Sequence, residues 1–165
     1  MPKPKVLWIE DDVRVGVSSL AGPVFASARY DLTIALNATD AVHEIQSGEF
    51  DVVVVDIRVP PGDDSQWVKL YRESGMNKMQ ARLGIELLRA LLQGAEANYV
   101  LKETPGWIDS TRFGILTVES VREVRDDMAE LRVSHFRQKN AGMSENTLLE
   151  LIDEVLADDS RSESI

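Results

Sequence analysis

Asp51-Val52-Val53-Val54-Val55-Asp56 decides how this chain is read. Four consecutive valines between two aspartates show no alternation of polar and apolar residues. A strand with one wet face would alternate. An unbroken β-branched run reads instead as a strand buried on both faces, the mark of a parallel sheet covered by helices on each side. Two further apolar runs flank it in the chain. Val6 to Ile9 is stopped by Glu10, Asp11 and Asp12, and Phe113 to Val118 is stopped by Glu119. Tyr30 to Leu36 and Leu131 to Phe136 are weaker strand candidates.

Helical patterns lie between these runs. Asp40 to Ile45 places Ala41, Val42 and Ile45 on one face, with Gly48 as a stop. Gly84 to Leu92, Ser120 to Leu131 and Ser144 to Ala157 each carry an apolar stripe at helical spacing. After Asp12, the residues Val13, Val17, Leu20 and Val24 keep that spacing, and Gly22 with Pro23 predicts an end or a bend there. Strands alternating with helices imply right-handed crossovers and an α/β fold. The expectation is a doubly wound five-stranded parallel sheet, flavodoxin-like, with strand order taken by analogy.

The stretch from Asp56 to Phe113 is too long for one crossover. A helix of ~12 residues with two loops of ~4–6 leaves about 30 residues over. The chain is therefore expected to be one domain over 1–157, with insertions at about 63–83 and 93–112 and a polar tail at 158–165. The first insertion is expected to hold an extra helix. Its Trp67, Tyr71, Met76 and Met79 read as a patch covering the domain's own core more readily than as a partner groove.

The 165 residues are 44% hydrophobic and 28% charged, an ordinary globular composition. Eighteen Lys and Arg against 28 Asp and Glu give a formal net charge of −10. Such a chain is a poor match for polyanions, so neither nucleic acid nor an anionic membrane is expected as a direct partner. The absence of cysteine removes thiolate nucleophiles, Fe–S clusters and Cys-type zinc sites. There is no signal-peptide pattern and no run of ~20 apolar residues. A cytoplasmic protein is expected. His43 and His135 lack metal spacing and read as structural or exposed.

Ligands of parallel α/β sheets sit at the carboxyl ends of the strands. That edge receives Glu10, Asp11 and Asp12 from the first strand, Asp56 from the third and Thr117 from the fourth, with Lys139 near the end of the fifth. Crowded carboxylates repel and resist ionisation unless a cation neutralises them. An all-oxygen donor set favours a hard cation, and a few carboxylates plus waters suit Mg²⁺. A lysine and a hydroxyl beside such a cluster suit an incoming phosphoryl group, with Asp56 as nucleophile. Taken singly, each residue has a blander reading as a solvated strand end or a surface lysine; together they favour chemistry.

Four segments resemble the signatures of a receiver domain, the response-regulator module of two-component phosphorelays. They are Trp8-Ile9-Glu10-Asp11-Asp12, Val52 through Pro60, Ile115-Leu116-Thr117-Val118-Glu119, and Phe136-Arg137-Gln138-Lys139. The resemblance covers Lys5 to about Ala157, apart from the insertions. It implies that Asp56 is the phosphoacceptor and that Glu10 and Asp11 hold Mg²⁺, Asp11 directly and Glu10 through water. Asp56 and the backbone carbonyl of Arg58 would complete the protein ligands. Thr117 would be the switch hydroxyl, Phe136 the switch aromatic, and Lys139 the partner of the phosphoryl group. The chain departs from the family at Asn140, where a proline usually follows the lysine, and at Phe136, which lacks a hydroxyl. Arg58 sets a long cation beside the site.

The resemblance implies a signal receiver rather than a turnover enzyme. A histidine kinase or phosphotransfer protein would phosphorylate it, and a downstream protein effector, or a homodimer, would read the result. The alternative is a pseudo-receiver that binds proteins without phosphorylation. A phosphohydrolase would commonly need an acid two residues after its nucleophile, where this chain has Arg58. A dinucleotide site would need a glycine-rich turn after the first strand, which is missing.

Overall fold

The computed structural model describes residues 2–11 and 16–163, except for the side chains of 16–18, 78–79 and 159–163. Asp12 and Val13 lie outside the described residues, as do the side chains of Val17 and Met79. The described strands are β1 (Lys5–Ile9), β2 (Asp31–Ala35), β3 (Val52–Val55), β4 (Phe113–Thr117) and β5 (His135–Gln138). The helices are α1 (Gly16–Ser27), α2 (Ala38–Ser47), α3 (Ser65–Glu73), α4 (Lys78–Ala81), α5 (Leu83–Gln93), α6 (Val121–Leu131) and α7 (Thr147–Glu163).

The sheet runs β2-β1-β3-β4-β5 and every pairing is parallel. The valine run behaves as its lack of alternation requires. All four valines are fully buried, Val52 and Val54 toward one face, Val53 and Val55 toward the other. The first face is closed by Leu20 and Val24 of α1 and by Leu148, Leu151, Ile152 and Val155 of α7. The second is closed by apolar residues of α2, α3, α5 and α6. The strand order reverses between β1 and β3, so their carboxyl ends open side by side.

Several element ends differ from the sequence reading. α1 continues through Gly22 and Pro23 to Ser27. An interior proline costs ~3 kcal/mol in an isolated helix, but Leu20, Ala21 and Val24 are buried against the sheet, and packing overrides local propensity here. Leu131 ends α6 rather than starting a strand, because Arg132 turns left-handed (φ 59°) and β5 begins only at His135. α7 starts at Thr147, after a turn in which the Asn146 N–H donates to Ser144 Oγ (3.1 Å), and it runs past Ala157 to Glu163.

The expected extra helix is α3, followed by the single turn α4. The Asp64 side chain caps α3 by accepting from the Gln66 N–H (2.9 Å). Trp67 is fully buried and stacks on Tyr99 of the second insertion, with ring centroids 4.0 Å apart and planes 10° apart. The Tyr99 hydroxyl donates to Asp64 Oδ2 (3.2 Å), which ties the same two segments again. The second insertion forms two 3-10 turns, Gly94–Glu96 and Ser110–Arg112, and its Trp107 meets Phe50 edge-on at 6.1 Å. Trp67 and the partly buried Tyr71 do cover the domain's own core, while Met76 is 65% exposed. The loop after β3 docks on the start of α2. The Ala38 and Thr39 N–H groups donate to Pro60 O and Pro61 O, and Gly62 (φ 78°) leaves no room for a Cβ beside Asn37 and Thr39.

Gly84 sets how closely α5 approaches the sheet. Its N–H donates to Ile57 O (2.9 Å), and a Cβ there would lie 2.2 Å from the Asp56 carbonyl oxygen. Gly84→Ala is expected to cost about 1–3 kcal/mol or more in denaturant unfolding. Gly22→Ala, with open space at its Cβ, is expected to be neutral or to stabilise α1 by up to ~1 kcal/mol. Burial, followed by the Asp64 carboxylate, pushes the Tyr99 hydroxyl up to about 12. The folded state thus holds the Tyr99 proton more tightly than the unfolded chain, and stability falls as pH rises from ~10 through about 12. Thermal melts should show wild type losing more stability than Tyr99→Phe across that interval.

Candidate functional site

The switch point between β1 and β3 gathers the acids. The Glu10 N–H donates to Ala35 O (2.9 Å) and the Asp56 N–H to Ile9 O (3.0 Å), so both residues leave the sheet from fixed backbone. Glu10 is 2% exposed and Asp56 4%. Ligand oxygens of Glu10, Asp11 and Asp56 all lie within 4.8 Å of one another. The Arg58 N–H donates to Asp56 Oδ1 (3.2 Å), which fixes the carboxylate plane.

Lys139 arrives from beyond β5. Its N–H donates to Thr117 O (2.7 Å), which carries the ladder between β4 and β5 one residue further. Its Nζ donates to Asp56 Oδ2 (2.8 Å) and also to Glu10 Oε2. Burial alone would lower the pKa of this ammonium, but the charges of Asp56 and Glu10 outweigh that and hold it above its ordinary value. Lys139 is therefore a full cation at neutral pH. The peptide bond into Asn140 is trans, and from it the lysine reaches both carboxylates.

Thr117 ends β4 fully buried, and its hydroxyl has no hydrogen-bond partner among the described residues. Phe136 on β5 is partly buried against the core cluster that includes Val124 and Leu131 of α6. The Arg58 guanidinium turns away from Asp56 to Glu119, with Nε 3.6 Å from Oε2. A cavity of about 320 Å³ opens beside Glu10 and Lys139, walled by Leu20, Val118, Ala141 and Met143.

The structure thus brings Glu10, Asp11, Asp56, Thr117 and Lys139 to one edge, with Arg58 and Phe136 at its margins. Sequence reasoning missed Glu119 and Arg82. Glu119 is 6% exposed and pairs with Arg82 (Nε–Oε1 3.2 Å) as well as with Arg58. Neither pair is aligned as a hydrogen bond. Burial pushes the Glu119 carboxyl up, opposed by Arg82 and Arg58. The spacing held a clue for one of them. Arg58 lies two residues past Asp56 and Glu119 two past Thr117, so each follows closely on a residue already singled out at the carboxyl edge. No pattern marks Arg82, which precedes α5 at the end of the first insertion.

The donor set fits a hard divalent cation. Three carboxylates supply oxygen only, converge closely, and would leave further positions to water, as Mg²⁺ prefers. No helix among the described residues is long and apolar enough to cross a membrane.

No protein-family model and no curated protein sequence matches the chain. Solved structures do. A CheY-like response regulator receiver domain protein from Methanospirillum hungatei superposes with a TM-score of 0.63 at 17% identity, covering 98% of this chain and 99% of that one. The non-phosphorylated HemR receiver domain of Leptospira biflexa gives 0.60 at 21% identity, covering 94% and 95%. The chemotaxis protein CheY4 of Vibrio cholerae gives 0.59 at 21%, covering 94% and 100%. With its strand order, its two-sided helical cover and these superpositions, the chain has the CheY-like fold of response-regulator receiver domains.

Proposed function

We propose that the chain is a phosphoacceptor receiver of a two-component phosphorelay. The observation that carries this reading is the Lys139 ammonium set between Asp56 and Glu10. Glu10, Asp11, Asp56 and the Arg58 carbonyl would hold Mg²⁺, which supplies charge neutralisation for a phosphoryl group arriving at Asp56. An Asp56 oxygen attacks phosphorus. The bond from phosphorus to the donor's imidazole nitrogen breaks, and the electron pair leaves with the imidazole. The product is an acyl phosphate. Lys139 then pairs with a phosphoryl oxygen, and the buried Thr117 hydroxyl gains the partner it lacks. Phe136 follows by repacking.

In this reading residues 1–157 form the receiver-like domain with its two insertions. The donor is a histidine kinase or phosphotransfer protein in the cytoplasm. A downstream protein effector or a second copy reads the result, with the exposed Arg122 and Arg125 of α6 on the reading face. One observation favours the second reading, a pseudo-receiver. The Lys139 ammonium pairs with both Glu10 and Asp56, so the cluster also reads as a structural ion group.

Incubation with Mg²⁺ and a small acyl phosphate is expected to add one phosphoryl group, and Asp56→Asn to abolish it, as read by intact-protein mass. No labelling of wild type across donors and pH would favour the pseudo-receiver, in which Asp56→Asn leaves partner binding unchanged. Lys139→Met removes one partner of a buried ion group and should cost about 3–5 kcal/mol without metal. Millimolar Mg²⁺ should return part of that loss, because the divalent ion takes over the neutralisation. Melts of the variant with and without Mg²⁺, and loss of the Mg²⁺ response in Lys139→Met with Asp11→Ala, check this.

A further inference from the structure

Arg82 is the last residue before α5, at the close of the first insertion. Its backbone is left-handed (φ 45°, ψ 50°), a conformation that side-chain-bearing residues seldom hold without support. Its side chain supplies that support through three contacts. Nε lies 3.2 Å from Glu119 Oε1, Nη2 lies 3.1 Å from Asp127 Oδ2, and Nη2 also donates to Glu123 O (3.4 Å). Glu119 follows Thr117 in the loop after β4, and Glu123 and Asp127 belong to α6. Two residues on, Gly84 is bonded to Ile57 O and pressed against the Asp56 carbonyl. The segment 82–84 thus touches both lips of the site, the loop after β3 through its backbone and the loop after β4 through a guanidinium.

Thr117 is held in a position where its buried hydroxyl bonds nothing among the described residues. Buried hydroxyls are ordinarily satisfied, and an oxygen arriving on Asp56 would offer this one a partner. Shifting Thr117 toward an oxygen carried by Asp56 would move the loop that carries Glu119, and Arg82 ties that loop and α6 to the start of α5. Asp127 is further tied to Arg89 Nη2 of α5 (3.1 Å), so the same helix pair resists at a second point.

We propose that Arg82 is a positioning residue that latches the Thr117–Ser120 loop and α6 in the resting arrangement, so that the first insertion sets how readily the site closes on a phosphoryl group. The proposal rests on the phosphoacceptor reading for its ligand, but not for the latch itself.

The test uses the full chain with Mg²⁺ and beryllofluoride, a tetrahedral mimic of a phosphoryl group on a carboxylate. Arg82→Gln should lower the half-saturating beryllofluoride concentration at least about 5-fold. Without beryllofluoride, it should speed amide exchange over residues 117–131 and leave β1, β2 and α2 unchanged. Arg82→Lys, which keeps the charge but loses the fork, should fall between. Asp127→Asn should repeat the effect from α6, and so covers the case in which Arg82→Gln fails to fold. Unchanged or raised half-saturation in both variants overturns the latch, as does unchanged exchange over 117–131. If wild type takes up no beryllofluoride, the phosphoacceptor reading fails, and the exchange comparison alone still decides the latch.

Discussion

Repulsion between buried carboxylates is the constraint around which this molecule is organised. A parallel sheet points its strand ends one way, and the reversal of order between β1 and β3 brings Glu10 and Asp56 together with little water to screen them. The Lys139 ammonium answers that repulsion from the far side of the sheet. It does so only because β5 is in register with β4, which places Gln138 opposite Thr117 and the lysine one step beyond. Removing either sign of charge would leave the other buried and uncompensated.

The rest of the fold serves that edge by fixing backbone. The helices bury both faces of β3 and so prevent the strand from slipping, since a shift of one residue would exchange the two cores. The loop after Asp56 is held by α2 on one side and by α5 on the other, through the Thr39 and Gly84 contacts. Both insertions pack on the face shared by α2 and α5, where Trp67 and Tyr99 are buried.

Much of this was legible in the residues. The unalternating valines gave the sheet type, the acids at run ends gave the edge, and the surplus between Asp56 and Phe113 gave the insertions. What escaped was set by contacts between distant residues. Gly22 and Pro23 read as an end or a bend, yet the apolar face around Leu20 and Val24 carries the helix past them. Leu131 closes a helical stripe and opens a weaker strand candidate in the sequence, yet it belongs to the helix alone, which ends at a left-handed arginine. Arg82 and Glu119 are ordinary charged residues in one dimension. Only the approach of α5 to the loop after β4 makes them partners.

The Trp67–Tyr99 stack has a bearing on how such a chain acquires its extra length. The two additions lie on opposite sides of α5 in the sequence, but each supplies one half of a single aromatic clasp. Trimming either alone would take away the stacking partner of the other's ring. They therefore behave as one graft in two pieces, gained or removed together, and a shortened form keeping only the plain crossover would have to discard both at once.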